Sequence, residues 1–222
     1  MRMNLPIELF IMLAAPLLIA AFLLRGDARR FAAFFLLGLG ACLFAAYINS
    51  FLSLAAGMDI QEATIKLTPI IEEVLKALPV FFYLAVYAPK RGAILAVSVA
   101  VGLGFATLEN AYYIMNIADQ SLLYAVIRGF SAGAIHTVCA AILGYGLTQI
   151  YRRQFLTFPI SFALLCAAST LHAMYNLFVT SGGVWAATGY LLPIAAAGIM
   201  LPFLRRISVD EGLRERETPR ID

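Results

Sequence analysis

Seven ionisable side chains sit in stretches of sequence that are otherwise apolar: Glu72, Glu73 and Lys76, then Glu109, then Arg128 and His136, then His172. A carboxylate base, imidazoles and an amide donor such as Asn176 make a sensible set for directing water onto a carbonyl carbon. Glu72 and Lys76 are spaced i,i+4 and Glu73 and Lys76 i,i+3, so on a helix both carboxylates reach the ammonium. Phe105 and Glu109 share the i,i+4 spacing, as do His172 and Asn176. Two adjacent carboxylates in a low dielectric repel one another as anions unless a cation, a shared proton or a metal intervenes. Three glutamates against Lys76 and Arg128, with neutral histidines, leave a negative excess, so the site could be neutralised by one proton or hold a divalent cation. Charge alone leaves both open. Carboxylates and imidazoles can ligate zinc, so the metal candidates are Glu72, Glu73, Glu109, His136 and His172.

The elements that position these groups follow from composition. The 222 residues are 62% hydrophobic and 13% charged, with a mean hydropathy of +0.87. Soluble domains average about 45–50% apolar and about 25% charged. A globule of this size cannot hide so much apolar surface from water. The expectation is an all-α polytopic membrane protein; disorder and secreted disulfide scaffolds are excluded. The net charge of +3 gives no footprint for nucleic acid. Cys42, Cys139 and Cys166 are odd in number, lie in apolar runs and form no CxxC, so they read as small buried side chains. Seven runs approach the roughly 20 residues that span a bilayer: 5–24, 31–56, 67–88, 92–115, 122–149, 155–179 and 184–204. The first is too long for a signal-peptide core, and its charges follow it, so it reads as an uncleaved span. No segment alternates as a barrel strand does, and no internal repeat is evident.

Loop charge sets the expected orientation. Arg25, Arg29, Arg30, Lys90, Arg91, Arg152, Arg153 and the tail residues Arg205, Arg206, Arg214, Arg216 and Arg220 fall on one side; Arg2 and Lys66 fall on the other. The split predicts a seven-helix bundle with its N-terminus outside and its C-terminus cytoplasmic. Residues 1–204 then form a single transmembrane domain, with its chemistry-bearing spans at about 67–179, and 205–222 a charged cytoplasmic tail, either mobile or a short surface helix. Counted from the outer ends at about 1.5 Å per residue, Glu72, Glu73, Glu109 and His172 lie about 8–11 Å deep, in one layer. Arg128 is near that layer; Lys76 and His136 are somewhat deeper. A polar layer reached from outside is a plausible wet cavity.

Ionisable groups inside spans cost at least about 2.5–3.5 kcal/mol each near the centre, so they point to function by default. A purely structural salt-bridge network accounts for one pair more easily than for seven groups on four consecutive spans. Glu8 reads as a solvated rim residue. Gly129, Gly133, Ala140 and Gly144 form a small-residue stripe that predicts a close helix contact. Pro69, Pro79 and Pro159 are ordinary in membrane helices. The chain has no HExxH, Walker loop, GxSxG or Rossmann glycine pattern.

Four runs in order resemble the motifs of PrsW-type intramembrane proteases. IIEEVLK (Glu72, Glu73, Lys76) resembles EExxK, and GFATLEN (Phe105, Glu109, Asn110) resembles FxxxEN. RGFSAGAIHTVCAAILGYG (Arg128, His136, Gly144) resembles the third motif, and LHAMYN (His172, Asn176) resembles HxxxN. The family is distantly similar to type II CAAX prenyl endopeptidases, bacteriocin-immunity proteins and the seven-span gamma-secretase scaffold subunit. In the prenyl endopeptidases a histidine stands where Glu109 stands here. The resemblance implies a multi-pass peptidase of a prokaryotic cell membrane. It would cut a membrane-anchored protein near the extracytoplasmic face, as relatives do when they begin regulated proteolysis of an anti-sigma factor. It implies that Glu72 or Glu73, with Glu72 favoured, activates water, and that His136 and Glu109 orient it or bind a metal. His172 and Asn176 would polarise the carbonyl and hold the oxyanion, and Lys76 and Arg128 would set the charge state of the carboxylates. Family members are often classed as metallopeptidases, whereas the prenyl endopeptidases are argued to be glutamate proteases. Two rivals are a non-catalytic scaffold, opposed by the retained glutamates and histidines, and a proton- or cation-coupled transporter, opposed by the missing repeats.

Overall fold

Inside a bilayer the backbone has no water to bond to, and helices close its hydrogen bonds internally. The computed structural model describes residues 5–87, 89–116, 121–150 and 154–217, and among these there is no strand. The helices are α1 (Leu5–Leu23), α2 (Gly26–Ala56), α3 (Ile60–Lys66), α4 (Thr68–Val86), α5 (Arg91–Asn116), α6 (Leu122–Ile150), α7 (Gln154–Thr180) and α8 (Gly183–Glu217). Six of them, α1, α2, α5, α6, α7 and α8, contain stretches long and apolar enough to cross a membrane. α4 has 19 residues but carries Glu72, Glu73 and Lys76. Its buried face is Pro69, Glu72, Glu73, Lys76, Ala77, Val80 and Tyr83, at helical spacing, whereas Ile70, Val74, Leu78, Phe82 and Val86 are exposed. Its charged residues thus face the interior of the bundle and its apolar residues face outward.

α5 is the most enclosed helix and packs mainly against α2 and α6. Small residues make this possible. A Cβ on Gly38 of α2 would stand 2.2 Å from the Val101 carbonyl oxygen, and one on Gly104 of α5 would stand 2.0 Å from that of Phe35. Without hydrophobic drive between helices, such close backbone approach supplies the packing. Phe34, Val80, Tyr83, Ile94, Val97, Val101 and Leu147 fill the core at one end of the bundle.

The structure departs from the sequence reading in several places. α2 begins at Gly26, whose φ of +57° allows an abrupt turn after α1. Arg29 and Arg30 therefore lie in its first turns, and Arg30 Nη1 donates to the Tyr83 hydroxyl at 2.8 Å. The segment 57–66, read as a plain loop, holds α3. Gly57, at φ +65°, terminates α2; Asp59 then caps α3 by accepting the Glu62 backbone N–H at 2.8 Å. α8 runs unbroken through position 204 to Glu217. The expected stripe on α6 is split: Ala140 and Gly144 meet α5, but a Cβ on Gly129 or Gly133 would find nothing within 4 Å. Cys42 and Cys139 are buried as expected, whereas Cys166 is exposed. Glu8 is exposed. Arg2, Arg152, Arg153 and Arg220 lie outside the described residues, as do the side chains of Arg206, Arg214 and Arg216.

Candidate active site

The polar residues expected to share a layer gather at one end of the bundle. Glu72 and Glu73 come from the first turns of α4, Glu109 from the late part of α5, Arg128 and His136 from the first half of α6, and His172 from the last turns of α7. Glu72, Glu109, Arg128 and His172 line a cavity of about 910 Å³ that is walled by residues of every helix from α1 to α8, while Glu73 and His136 are buried and are not part of its lining. Among the described residues α2 and α7 do not meet; α3 touches both and lies across the interval, and its Thr64 lines the cavity.

The adjacent glutamates have different surroundings. Glu73 is buried in an ion-pair cluster: its Oε1 accepts from Lys76 Nζ at 2.6 Å and from His172 Nδ1 at 2.8 Å. Glu72 lines the cavity, and its Oε2 is buried without a hydrogen-bond partner. The nearest imidazole nitrogen, His172 Nε2, is 3.7 Å from that oxygen.

The hydrogen bonds also fix the tautomers of the neutral imidazoles. A carboxylate only accepts, so His172 carries its proton on Nδ1 toward Glu73 and leaves a lone pair on Nε2. Lys76 Nζ lies 3.2 Å from His136 Nδ1, and an ammonium only donates, so the His136 proton is on Nε2, hydrogen-bonded to Glu109 Oε2. Phe105, fully buried, packs its ring 4.9 Å from that of His136 and lies under Lys76 Nζ at 5.1 Å. The two imidazoles meet edge to face at 4.9 Å.

Arg128 closes the other side. Its Nη2 donates to Glu109 Oε1 at 3.5 Å, its Nη1 to the Tyr175 hydroxyl at 3.2 Å, and its guanidinium stacks 3.9 Å above Tyr113. Asn176 Nδ2 donates to the Thr64 carbonyl at 2.9 Å and so holds α3 against α7. Asn110 lies behind the cavity and donates to the Gly129 carbonyl at 3.2 Å. All ten residues singled out in the sequence thus belong to one connected region. Tyr175 was missed there. It follows His172 by three positions, the spacing that shares a helix face.

Whether the residues fit a metal follows from the same geometry. Glu72, His136 and His172 can each offer one ligand atom, all within 4.8 Å of one another. Two imidazoles and a carboxylate match a catalytic zinc donor set. Glu72 has an oxygen to give, His172 a lone pair, and Glu73 steadies the far side of His172 as outer-shell carboxylates do. Glu72 and His172 are poised to hold a divalent metal; His136, whose Nδ1 faces Lys76 and whose Nε2–H is bound to Glu109, completes the set only when one of those partners is released.

Neither the curated proteins nor the solved structures include a significant match to this chain. Residues 27–204 match the family model described as PrsW family intramembrane metalloprotease. That span takes in the helices bearing the ion pairs, both imidazoles and most of the cavity wall. The chain, a multi-pass membrane protein with a buried carboxylate–imidazole site, belongs to the PrsW family of intramembrane metalloproteases.

Proposed function

We propose that this peptidase hydrolyses a membrane-anchored protein with Glu72 as the general base. The observation that carries the reading is the free carboxylate oxygen of Glu72 beside a roomy cavity, while Glu73 is committed to Lys76 and His172. Glu72 takes a proton from water as the water oxygen attacks the scissile carbonyl carbon. Glu109 and His136 hold the water's surroundings, and Arg128 and Lys76 balance the carboxylates. Asn176 gives one N–H to Thr64 and keeps the second for the carbonyl. A divalent metal held by Glu72 and His172, and by His136 once it releases Lys76 or Glu109, would supply Lewis acidity and a more acidic water, and Glu72 would then serve as ligand in place of base.

The proposed topology has seven spans, α4 included, with the N-terminus outside and the C-terminus in the cytoplasm of a prokaryotic cell. Residues 1–204 form the membrane domain and the basic tail is cytoplasmic. The loop charges support this arrangement. It puts the cavity end at the extracytoplasmic face, where an anti-sigma factor is the substrate class that the family resemblance suggests. Reporter fusions at Asp222 and within residues 57–66 should read opposite sides; a cytoplasmic 57–66 segment overturns the orientation.

The chemistry is tested with the full chain in proteoliposomes and membrane-anchored candidate substrates. Glu72→Gln should lower cleavage by about 10²–10⁴-fold, the usual weight of a general base. Unchanged cleavage in that variant would remove Glu72 as the base. A chelator that abolishes cleavage, with zinc restoring it, establishes metal dependence; full activity in chelator removes the metal.

A further inference from the structure

We infer that the Tyr175 hydroxyl is a catalytic hydrogen-bond donor, aimed at the oxyanion that forms when water attacks the scissile carbonyl. The inference rests on the protease reading above. Hydrolysis moves the carbonyl π pair onto oxygen as the new C–O bond forms, and a proton passes from water to the Glu72 carboxylate. When the C–N bond breaks, the pair returns to the carbonyl and the leaving nitrogen takes that proton. The developing oxygen anion needs a donor already in place, because preorganised donors contribute most where water is excluded.

Most polar groups around the cavity are poor candidates. His172 has given its one N–H to Glu73 and presents a lone pair at Nε2. The His136 N–H is taken by Glu109. Lys76 is buried and engaged with Glu73 and His136. Arg128 is pinned by Tyr175, Glu109 and the Tyr113 ring, and with its Nε–H buried and unpartnered it is the remaining charged rival. Asn176 has one amide hydrogen on Thr64 and a second left for the carbonyl, so it can share the oxyanion with another donor but offers it only one bond.

Tyr175 is placed differently. It is only 2% exposed, yet it lines the cavity together with Glu72 and His172. Its oxygen accepts from Arg128 Nη1 at 3.2 Å and from Ser131 Oγ at 3.0 Å. Two donors fill both acceptor positions of a phenol oxygen and leave its own O–H to be donated. A phenol that accepts from a guanidinium and a hydroxyl is also polarised along that chain, and hydrogen bonds in series reinforce one another. Arg128 reaches Glu109 with the same guanidinium, so charge gathering at the oxyanion is felt across the site without Arg128 touching it.

The test replaces the proton and then grades it. Tyr175→Phe keeps the ring and should lower kcat by about 10²–10³-fold with little change in KM, as expected for removing one oxyanion donor. Fluorotyrosines introduced at position 175, assayed where they stay protonated, should change kcat in step with their donor strength; a tyrosine that merely props Arg128 would give a flat series. The fluorinated chains retain the hydroxyl and ring, so they decide the matter even if Tyr175→Phe does not fold. Full kcat in a folded Tyr175→Phe, or a flat fluorotyrosine series, overturns the assignment. Glu72→Gln in the same assay separates the two readings. Its inactivity beside a fully active Tyr175→Phe sinks the tyrosine alone, whereas its full activity sinks the base on which the tyrosine's role depends.

Discussion

At one end of α6, Gly129 and Gly133 face open space beside Arg128 and the cavity; toward the other, Gly144 would set a Cβ 2.6 Å from Ser98. The same residue type serves opposite purposes within one helix. Near Gly144, and where Gly38 and Gly104 bring α2 against α5, backbones touch and the interior is apolar. Near Arg128 the helices stand apart and the interior is charged. The contrast shows how an intramembrane enzyme can hold a wet, electrostatically awkward site. Rigidity comes from one region of the bundle, so the other can keep an unpartnered carboxylate that would destabilise an ordinary core.

The contrast breaks most visibly at Glu72. Glu72→Gln should leave the melting temperature unchanged or higher while cleavage falls by about 10²–10⁴-fold; a large drop in stability would show that Glu72 also holds the fold. Lys76→Met should do the reverse of what a surface lysine does. It strips the ammonium from buried Glu73, and breaking a buried pair from one side typically costs about 3–5 kcal/mol. Denaturation in detergent measures that loss, and adding Glu73→Gln should return part of it. In the close-packed region, Gly104→Ala drives a methyl into the Phe35 carbonyl and should cost about 1–3 kcal/mol by the same assay. Gly133→Ala, with nothing in its way, should stay within about 0.5 kcal/mol of the parent. Equal effects of the two alanines would erase the difference between the regions.

Much of the site was legible because charge is so conspicuous in apolar sequence. Depth counting put Glu72, Glu109 and His172 in one layer, and they do border one cavity. The two glutamates could not be told apart from spacing, since i,i+3 and i,i+4 both reach Lys76. The tertiary fold separates them by bringing His172 Nδ1, ninety-nine residues away in sequence, onto Glu73. Tyr175 gave no signal because tyrosine is unremarkable in a membrane span; only its placement between Arg128 and Ser131 distinguishes it. α3 was hidden in a segment too short and polar to register as a span, although Asp59 and Glu62 already had capping-box spacing. The glycine stripe misled at Gly129 and Gly133 because a small residue permits contact without requiring it.

The distribution of countercharges has a consequence for how the chain is made. Glu73 and Lys76 lie on one helix, three residues apart, so α4 can enter the bilayer with that charge already matched. Glu109 has no such companion on α5; its guanidinium partner, Arg128, arrives nineteen residues later on α6. Each would cost on the order of 2.5–3.5 kcal/mol if committed to lipid alone. α5 and α6 are therefore suited to leave the insertion machinery as a hairpin, each helix carrying the charge that makes the other soluble in hydrocarbon, and the candidate site begins to assemble before α7 delivers His172.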